Sequence, residues 1–355
     1  MIYDILFCMW DYLKTTKKNI MIYGRGDAAQ RIVAELAKRG KEPAGFFASD
    51  GFVRPKAFLG YPVSSFSEAM EQFDPKNSIV LLAFGTHRED VLQNILAIEA
   101  QTEFFAPDLP VVGEELFDKR YYTANQTRLQ QAFEFLADEQ SRRVFRSVIS
   151  FKLSGKIGFL LDCDTPSSEN WALLSPSADK VYADLGAYTG DTIAEYLAAC
   201  GGGSPQILAV EPEPRNFRKL TEYVKEASLS RCRYVQAVID DAVGTAEIAK
   251  GGGRGSRSKK TQEVPAETLD HLLDGSRADI IKMDLEGAEA AAIRGAAKTI
   301  KKYRPAMLIS AYHRTEDLWS IPLQVLQIQP DYKVYLRRTR CLPAWEVNYF
   351  FIPRP

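Results

Sequence analysis

Short apolar runs bounded by glycine or polar residues recur along the first third of the chain. N-I-M-I-Y from Asn19, P-A-G-F-F-A-S-D from Pro43 and S-I-V-L-L-A-F-G from Ser78 each read as a buried strand. Between the first two, Q-R-I-V-A-E-L-A-K-R has apolar side chains three and four apart, and Gly40 follows as a C-cap. After the third, T-H-R-E-D opens another helix. The alternation predicts a small Rossmann-like α/β domain over residues 1–110. Residues 1–16 form a leading helix whose apolar face suits a dimer or interdomain contact.

The period changes after Pro110. R-L-Q-Q-A-F-E-F-L-A-D-E-Q-S-R-R-V-F-R-S-V-I-S-F-K-L is helical in pattern, with a break at Ala137–Ser141 and Ser141 capping a second helix. Residues 111–165 are therefore expected to be a helical connector, and D-C-D-T-P-S-S-E-N-W a loop. From 166 to 355 strands return: Val181–Leu185, Ile207–Glu211, Arg233–Val238, Ile280–Asp284, Met307–Ala311, Lys333–Arg337 and Val347–Ile352. Helices separate the first five, and the last two are expected to pair antiparallel. The pattern predicts a seven-stranded, doubly wound α/β sheet whose final hairpin closes one edge. Between Ala242 and Asp279, G-T-A-E-I-A and T-Q-E-V-P read as a small hairpin. The glycine-rich, basic tract K-G-G-G-R-G-S-R-S-K-K that joins them is expected to be mobile.

Composition narrows the function classes. The chain has 355 residues, 46% hydrophobic, with 45 basic against 46 acidic side chains and a formal net charge of -1. That balance gives no global attraction to nucleic acid or to an anionic membrane. No apolar run approaches the roughly 20 residues of a membrane span. The amino-terminal residues lack the basic-then-apolar order of an export signal. The five cysteines, at 8, 163, 200, 232 and 341, lack metal-site spacing, and their odd number argues against a disulfide scaffold. A cytoplasmic protein without a metal site is expected.

The chemistry concentrates at strand ends. V-Y-A-D-L-G-A-Y-T-G-D-T-I, Val181 to Ile193, runs from strand through an acid and a glycine turn into a helix. One helix later, I-L-A-V-E-P ends on Glu211. Asp184, Gly186, Ala187, Tyr188, Gly190 and Thr192 would frame a ligand at the sheet's switch point, with Glu211 taking both hydroxyls of a ribose. The spacing is not the G-x-G-x-x-G/A of a pyrophosphate site, and an acid precedes it. A nucleoside with an amino-acid tail in place of phosphates fits, and S-adenosylmethionine is such a molecule. Asp184 would meet its ammonium directly or through water.

Further along, I-I-K-M-D-L-E-G-A-E presents Asp284 and Glu286 at the tip of the Ile280 strand. Either could instead cap the next helix. His313 stands just past the Met307 strand, and an ordinary imidazole pKa near 6.5 suits a base that takes a hydroxyl proton. Tyr312 is a backup contact. His271 and His87 read as structural or surface residues.

Two features admit other functions. I-Y-G-R-G-D-A-A, Ile22 to Ala29, matches G-x-G-x-x-A after a strand, with Asp50 placed for a ribose, as in an NAD-dependent oxidoreductase or a nucleotide-sugar enzyme. Arg25 and Asp27 are bulky within that turn, which favours a retained scaffold without cofactor. A scaffold protein with two vestigial crevices is the non-enzyme alternative. The basic tract 251–260 is a solvated hairpin tip or a lid over an anionic acceptor. No aromatic platform accompanies it for nucleic acid.

Taken together, D-L-G-A-Y-T-G-D-T, A-V-E-P-E-P, I-K-M-D-L-E-G-A-E and I-S-A-Y-H-R-T-E-D-L-W resemble the FkbM family of S-adenosylmethionine-dependent methyltransferases, over about Pro166 to Pro355. The preceding region resembles that of longer members. The resemblance implies a class I methyltransferase fold and methyl transfer to an oxygen, commonly a hydroxyl of a sugar, polyketide or other secondary metabolite. On that pattern Asp184, Gly186 and Gly190 frame the methionine part, Glu211 holds the ribose, and Asp240 or Asp241 meets the adenine edge. His313 is the general base, with Asp284 or Glu286 orienting it or the substrate. A small hydroxylated molecule is the expected partner.

Overall fold

The computed structural model describes residues 7–50, 57–249 and 261–355. Helix α1 (Met9–Thr15) precedes an all-parallel sheet of β1 (Asn19–Tyr23), β2 (Gly45–Ala48), β3 (Val63–Ser65), β4 (Ser78–Leu82) and β5 (Glu103–Phe105), in the order β3-β2-β1-β4-β5. Helices α2 (Asp27–Ala37), α3 (Phe66–Gln72) and α4 (Glu89–Glu99) are the crossovers. The strands β3 and β5, three residues each, and the seven-residue helix α3 are too short to carry a readable period. Alternate faces of the sheet feed separate cores. Ile20, Ile22, Ile79 and Leu81 pack with Met9, Trp10 and Leu13 of α1 and with Ile32 and Leu36 of α2. The apolar face of α1, expected to serve a dimer or interdomain contact, packs mainly within its own domain, and Met9 also reaches Gly155 beyond it in the chain.

The opposite face, with Met21, Val80 and Leu82, joins a core continuous with the rest of the chain. Two 16-residue helices follow, α5 (Lys119–Glu134) and α6 (Glu139–Ser154). The cap between them is Asp138, which accepts from the Ser141 amide at 2.8 Å; Ser141 is the third helical residue, not the cap. A carboxylate three residues ahead wins that place because it accepts from both the amide and the hydroxyl of Ser141. Helix α7 (Gly158–Leu161) completes the connector, and α8 (Ser167–Leu174) opens the second domain, so half of the segment expected as loop is helical.

The second sheet contains β6 (Val181–Leu185), β7 (Gln206–Val210) and β8 (Cys232–Val235), then, beyond an inserted three-stranded sheet of β9 (Val238–Ile239), β10 (Gly244–Ala249) and β11 (Thr261–Glu267), strands β12 (Ile280–Met283), β13 (Ala306–Ser310), β14 (Tyr332–Arg338) and β15 (Val347–Pro353). Its order is β14-β15-β13-β12-β6-β7-β8, with β14 and β15 antiparallel to their neighbours and the rest parallel. The fold class read from the sequence is the one present. Helices α9 (Asp191–Ala199), α10 (Pro214–Glu226), α11 (Leu269–Leu273), α12 (Glu289–Gly295), α13 (Ala297–Tyr303) and α14 (Asp317–Ile328) cover it. The predicted hairpin is β10–β11, in register Gly244 to Ala266. The basic tract between its strands lies outside the described residues.

The connector closes the β14 edge. Leu136 bridges Val334, and Ala137 donates its amide to the Val334 carbonyl at 2.8 Å. Arg337, almost fully buried, donates to Asp138 at 2.6 Å and to the Ser141 hydroxyl at 2.7 Å. No helix among the described residues is long and apolar enough to cross a membrane.

Candidate active site

The turn after β6 is built on glycines at positions where a side chain would be strained and crowded. Gly186 sits at φ +83°, and a β-carbon there would lie 1.9 Å from the Asp284 carbonyl oxygen. Gly190, at φ +96°, caps the amino end of α9, and its β-carbon would fall 2.4 Å from the Tyr223 ring. Tyr188, also left-handed at φ 48°, holds a side chain that is 51% exposed. The amides of Gly186 and Ala187 both donate to the Val210 carbonyl at 2.9 Å, which locks the turn to the end of β7.

Glu211 follows directly. Its carboxylate accepts from the Tyr188 amide at 3.0 Å and from the Glu213 amide at 3.0 Å. Burial pushes the carboxyl upward from its ordinary range, against the lowering effect of those amides. The acid thus stands where the glycine turn and β7 meet, as the sequence placed it.

Asp184 behaves otherwise than expected. It is fully buried, takes the Thr192 hydroxyl at 2.5 Å, and has the Lys282 ammonium 3.2 Å away. Lys282 also donates to the Gly186 carbonyl at 2.7 Å. Burial pulls the Lys282 ammonium down, but Asp184 and Asp284 outweigh it and its pKa ends raised. Among the described residues, the cation that Asp184 meets is Lys282 of the adjacent strand. Thr192 faces inward with it. Lys282 was legible as an oddity, since a lysine in the middle of I-I-K-M needs a buried partner.

Asp240 and Asp241 are not at the crevice. Strand β8 ends at Val235, so Gln236 occupies the carboxyl edge, donating to the Pro212 carbonyl at 3.4 Å. Asp240 and Asp241 come after β9, which pairs with β11 of the inserted sheet. Asp241 is paired with Arg294 at 2.8 Å, and the Asp240 carbonyl abuts Gly295. Both partners lie at the far end of α12, away from its start at the crevice. The sequence reading ran β8 through Val238 because apolar residues continue; Ala237 in fact begins a turn of direction into a second sheet.

The third group lies at the ends of β12 and β13. His313 is fully enclosed. Its Nδ1 is 2.8 Å from Glu289 Oε1, and its Nε2 is 3.3 Å from Asp284 Oδ1 and 3.8 Å from Glu286 Oε2. Tyr312 donates its hydroxyl to Asp284 at 3.2 Å, and the Leu285 amide donates to Glu289 at 2.8 Å. Neither Asp284 nor Glu286 caps α12, whose N-cap is Ala288 without a side-chain bond. Glu286 adopts φ 51°, and Gly287 follows at φ +97°.

Electrostatics reverses the role expected of His313. Burial disfavours its cation, but contact with Glu289 and the charges of Glu289, Asp284 and Glu286 outweigh that and raise its pKa to about 9. That direction favours the protonated imidazole near neutral pH, a form that holds a proton in place of accepting one. Asp317 beside it is pushed up to about 7, by burial first and the Glu289 charge second. Asp284 and Glu286, with 21% and 48% of their side chains exposed, both combine contact with His313 and access from outside, and Asp284 makes the shorter contact. Asp284, Glu289 and His313 each offer one ligand atom within 4.8 Å of the others, so they could also enclose a metal ion. Glu289 went unrecognised in the sequence, although its spacing from Asp284 brings it back beneath the turn.

His271, His87 and Asp50 lie elsewhere. His271 pairs with Glu267 at 2.5 Å on the surface, and His87 is exposed. Asp50 accepts from the Ser67 amide and, at 2.6 Å, from the Ser67 hydroxyl, so it serves the start of α3.

Residues 184–335 match the methyltransferase FkbM domain. Over 98% of this chain and 95% of the other, the fold is similar to the crystal structure of Methyltransferase FkbM from Methylobacillus flagellatus KT, with a TM-score of 0.76 and 19% identity. Two partial likenesses are a precorrin-6y C5,15-methyltransferase from Geobacter metallireducens GS-15 (TM-score 0.34, 14% identity, 52% of this chain and 84% of that one) and an Aeropyrum pernix fibrillarin with natively bound S-adenosyl-L-methionine (TM-score 0.34, 12% identity, 50% and 68%). A sequence search of curated proteins finds no match.

Proposed function

We propose that this chain, an S-adenosylmethionine-dependent methyltransferase by its FkbM domain over residues 184–335, methylates a hydroxyl group of a small molecule. The observation that carries this reading is the backbone apposition of Gly186 and Asp284, which sets the cofactor turn directly against the carboxylate group. The residues fit S-adenosylmethionine. Glu211 is an acid at the end of β7 for the ribose hydroxyls, and the glycine turn after β6 leaves room for the tail. Gln236, at the end of β8, is the amide nearest in sequence to where an adenine edge is read.

When bound, that cofactor supplies a methyl group on a cationic sulfur, already activated for displacement. The chain has then to align an acceptor oxygen and remove its proton. Alignment alone can contribute several kcal/mol. Asp284 takes the proton, in this reading, and Glu286 borders the acceptor. His313, whose carboxylate contacts favour the imidazolium, orients Asp284 from behind, with Tyr312 sharing the same oxygen. Asp184, Thr192 and Lys282 hold the Gly186 turn in place. A cytoplasmic setting agrees with five cysteines that are all unpaired.

Calorimetry with S-adenosylhomocysteine tests the reading. Saturable heat at one site per chain, lost in Glu211→Ala, is expected. Folded protein that shows no heat with that ligand would end it.

A further inference from the structure

The two sheets present their carboxyl edges to each other. Ser310 of β13 pairs with Asn348, and Arg338 of β14 with Val347, so the loop 339–346 lies at the same edge as His313. That loop reaches Thr86, just past the carboxyl end of β4: Thr86 donates its amide to the Leu342 carbonyl at 2.7 Å and accepts from the Leu342 amide at 2.9 Å. Trp345 lies over Gly85, where a β-carbon would fall 2.2 Å from its ring. From the end of β5, the loop 106–118 crosses the same gap. Val112 donates its amide to the His313 carbonyl at 2.9 Å, and its side chain rests against Gly287, one residue from Glu286.

Between these edges lies a cavity of about 120 Å³, bounded by Ala28, Phe84, Leu109, Val111, Pro343 and Trp345, with Asp27 and Arg31 as charged members. Its size is close to that of an engineered apolar cavity of about 150 Å³ that accepts benzene. Its wall at Val111 is continuous with Val112, which touches the His313 strand end. Arg31 ties the two regions together by donating to the Pro110 carbonyl at 2.5 Å and toward the Gly113 carbonyl at 3.5 Å. A dinucleotide suits this place poorly. Asp27 sits in the first turn of α2, where a phosphate would otherwise bind, and Asp50 is committed to Ser67.

We propose that this cavity seats a single apolar or aromatic ring of the methyl acceptor, so that the amino-terminal sheet selects the substrate whose hydroxyl reaches Asp284. The proposal rests on the methyltransferase reading. It makes the amino-terminal domain half of one composite site, in keeping with the preference of ligands for domain interfaces.

Saturation-transfer NMR on the full chain tests it, with phenol and cyclohexanol as ring probes and glycerol as a ringless control. Both ring probes are expected to bind at about millimolar affinity, as very small ligands do, and glycerol not to bind. Ala28→Trp and, independently, Leu109→Trp fill the cavity and are expected to weaken ring binding at least tenfold while the calorimetric affinity for S-adenosylhomocysteine stays within about twofold. Ring probes that bind neither the wild type nor the variants, or bind all three equally, would overturn the proposal. Ring binding that behaves as expected in a protein without affinity for S-adenosylhomocysteine would overturn the methyltransferase reading, and with it the claim that the ring belongs to an acceptor.

Discussion

The carbonyl oxygen of Asp284 occupies the space that a side chain on Gly186 would need, 1.9 Å from its hypothetical β-carbon. The turn that follows β6 and the turn that follows β12 are thereby held in contact without any intervening side chain. Gly186→Ala is expected to lose roughly 2–4 kcal/mol of stability, combining left-handed strain with overpacking. Urea unfolding followed by circular dichroism measures the loss, and a variant as stable as the wild type would show that the two turns are not in contact.

Glu211 accepts two backbone amides at the end of β7, where the proposed reading puts the ribose. A charged acceptor of hydroxyl groups contributes about 1.5–3 kcal/mol. Glu211→Gln should therefore weaken S-adenosylhomocysteine binding roughly tenfold to a hundredfold, by calorimetry, with folding largely retained. Unchanged affinity would remove the ribose assignment.

Asp284, not His313, is expected to set the rate of proton removal. Asp284→Asn should lower kcat by about 10²–10⁴ with little effect on cofactor affinity. For His313→Gln, turnover should fall through misplacement of Asp284, with no loss of a limb titrating near pH 6.5 in kcat. A wild-type profile that does show such a limb, abolished in His313→Gln, would restore the imidazole as the base.

His313 also gives stability a pH dependence of definite sign. Its folded pKa, about 9, exceeds the ordinary 6.5, so the folded protein holds this proton more tightly than the unfolded chain. The stabilisation is complete below pH 6.5, declines as pH rises through 9 and is gone above that. Its size is roughly 3 kcal/mol at most by linkage. Thermal melts between pH 6 and 10 should show a falling Tm in the wild type and a flatter one in His313→Gln.

Asp138 joins a helix cap to a buried arginine on β14. Asp138→Ala removes both and leaves Arg337 without its carboxylate, at an expected cost of about 2–4 kcal/mol. Denaturant unfolding checks this; a change below about 0.5 kcal/mol would mean that the junction is not structurally important.

The strand ends were legible because glycine, acid and apolar run occur together there. Val181–Leu185 was placed to the residue, and Gly186, Gly190 and Glu211 stand where the spacing put them. What could not be read was partnership between distant segments. Lys282 neutralises Asp184 from a strand nearly a hundred residues later, and nothing local to either residue announces it. The raised pKa of His313 likewise depends on Asp284, Glu286 and Glu289, gathered between β12 and the start of α12, which favour the cation over the base expected there. Asp240 and Asp241 were misplaced because the apolar run that ends β8 continues into β9, and periodicity does not mark where one sheet gives way to another.

The segment around Leu136 and Ala137 runs beside β14 and takes up its outward-facing backbone. An unpaired outer strand of seven residues would otherwise be a template for recruiting the same strand from other molecules. Self-association at high concentration should therefore be governed less by the sheet itself than by how firmly α5 and α6 stay docked, and a change that loosens their junction would be felt first as insolubility and only later as lost catalysis.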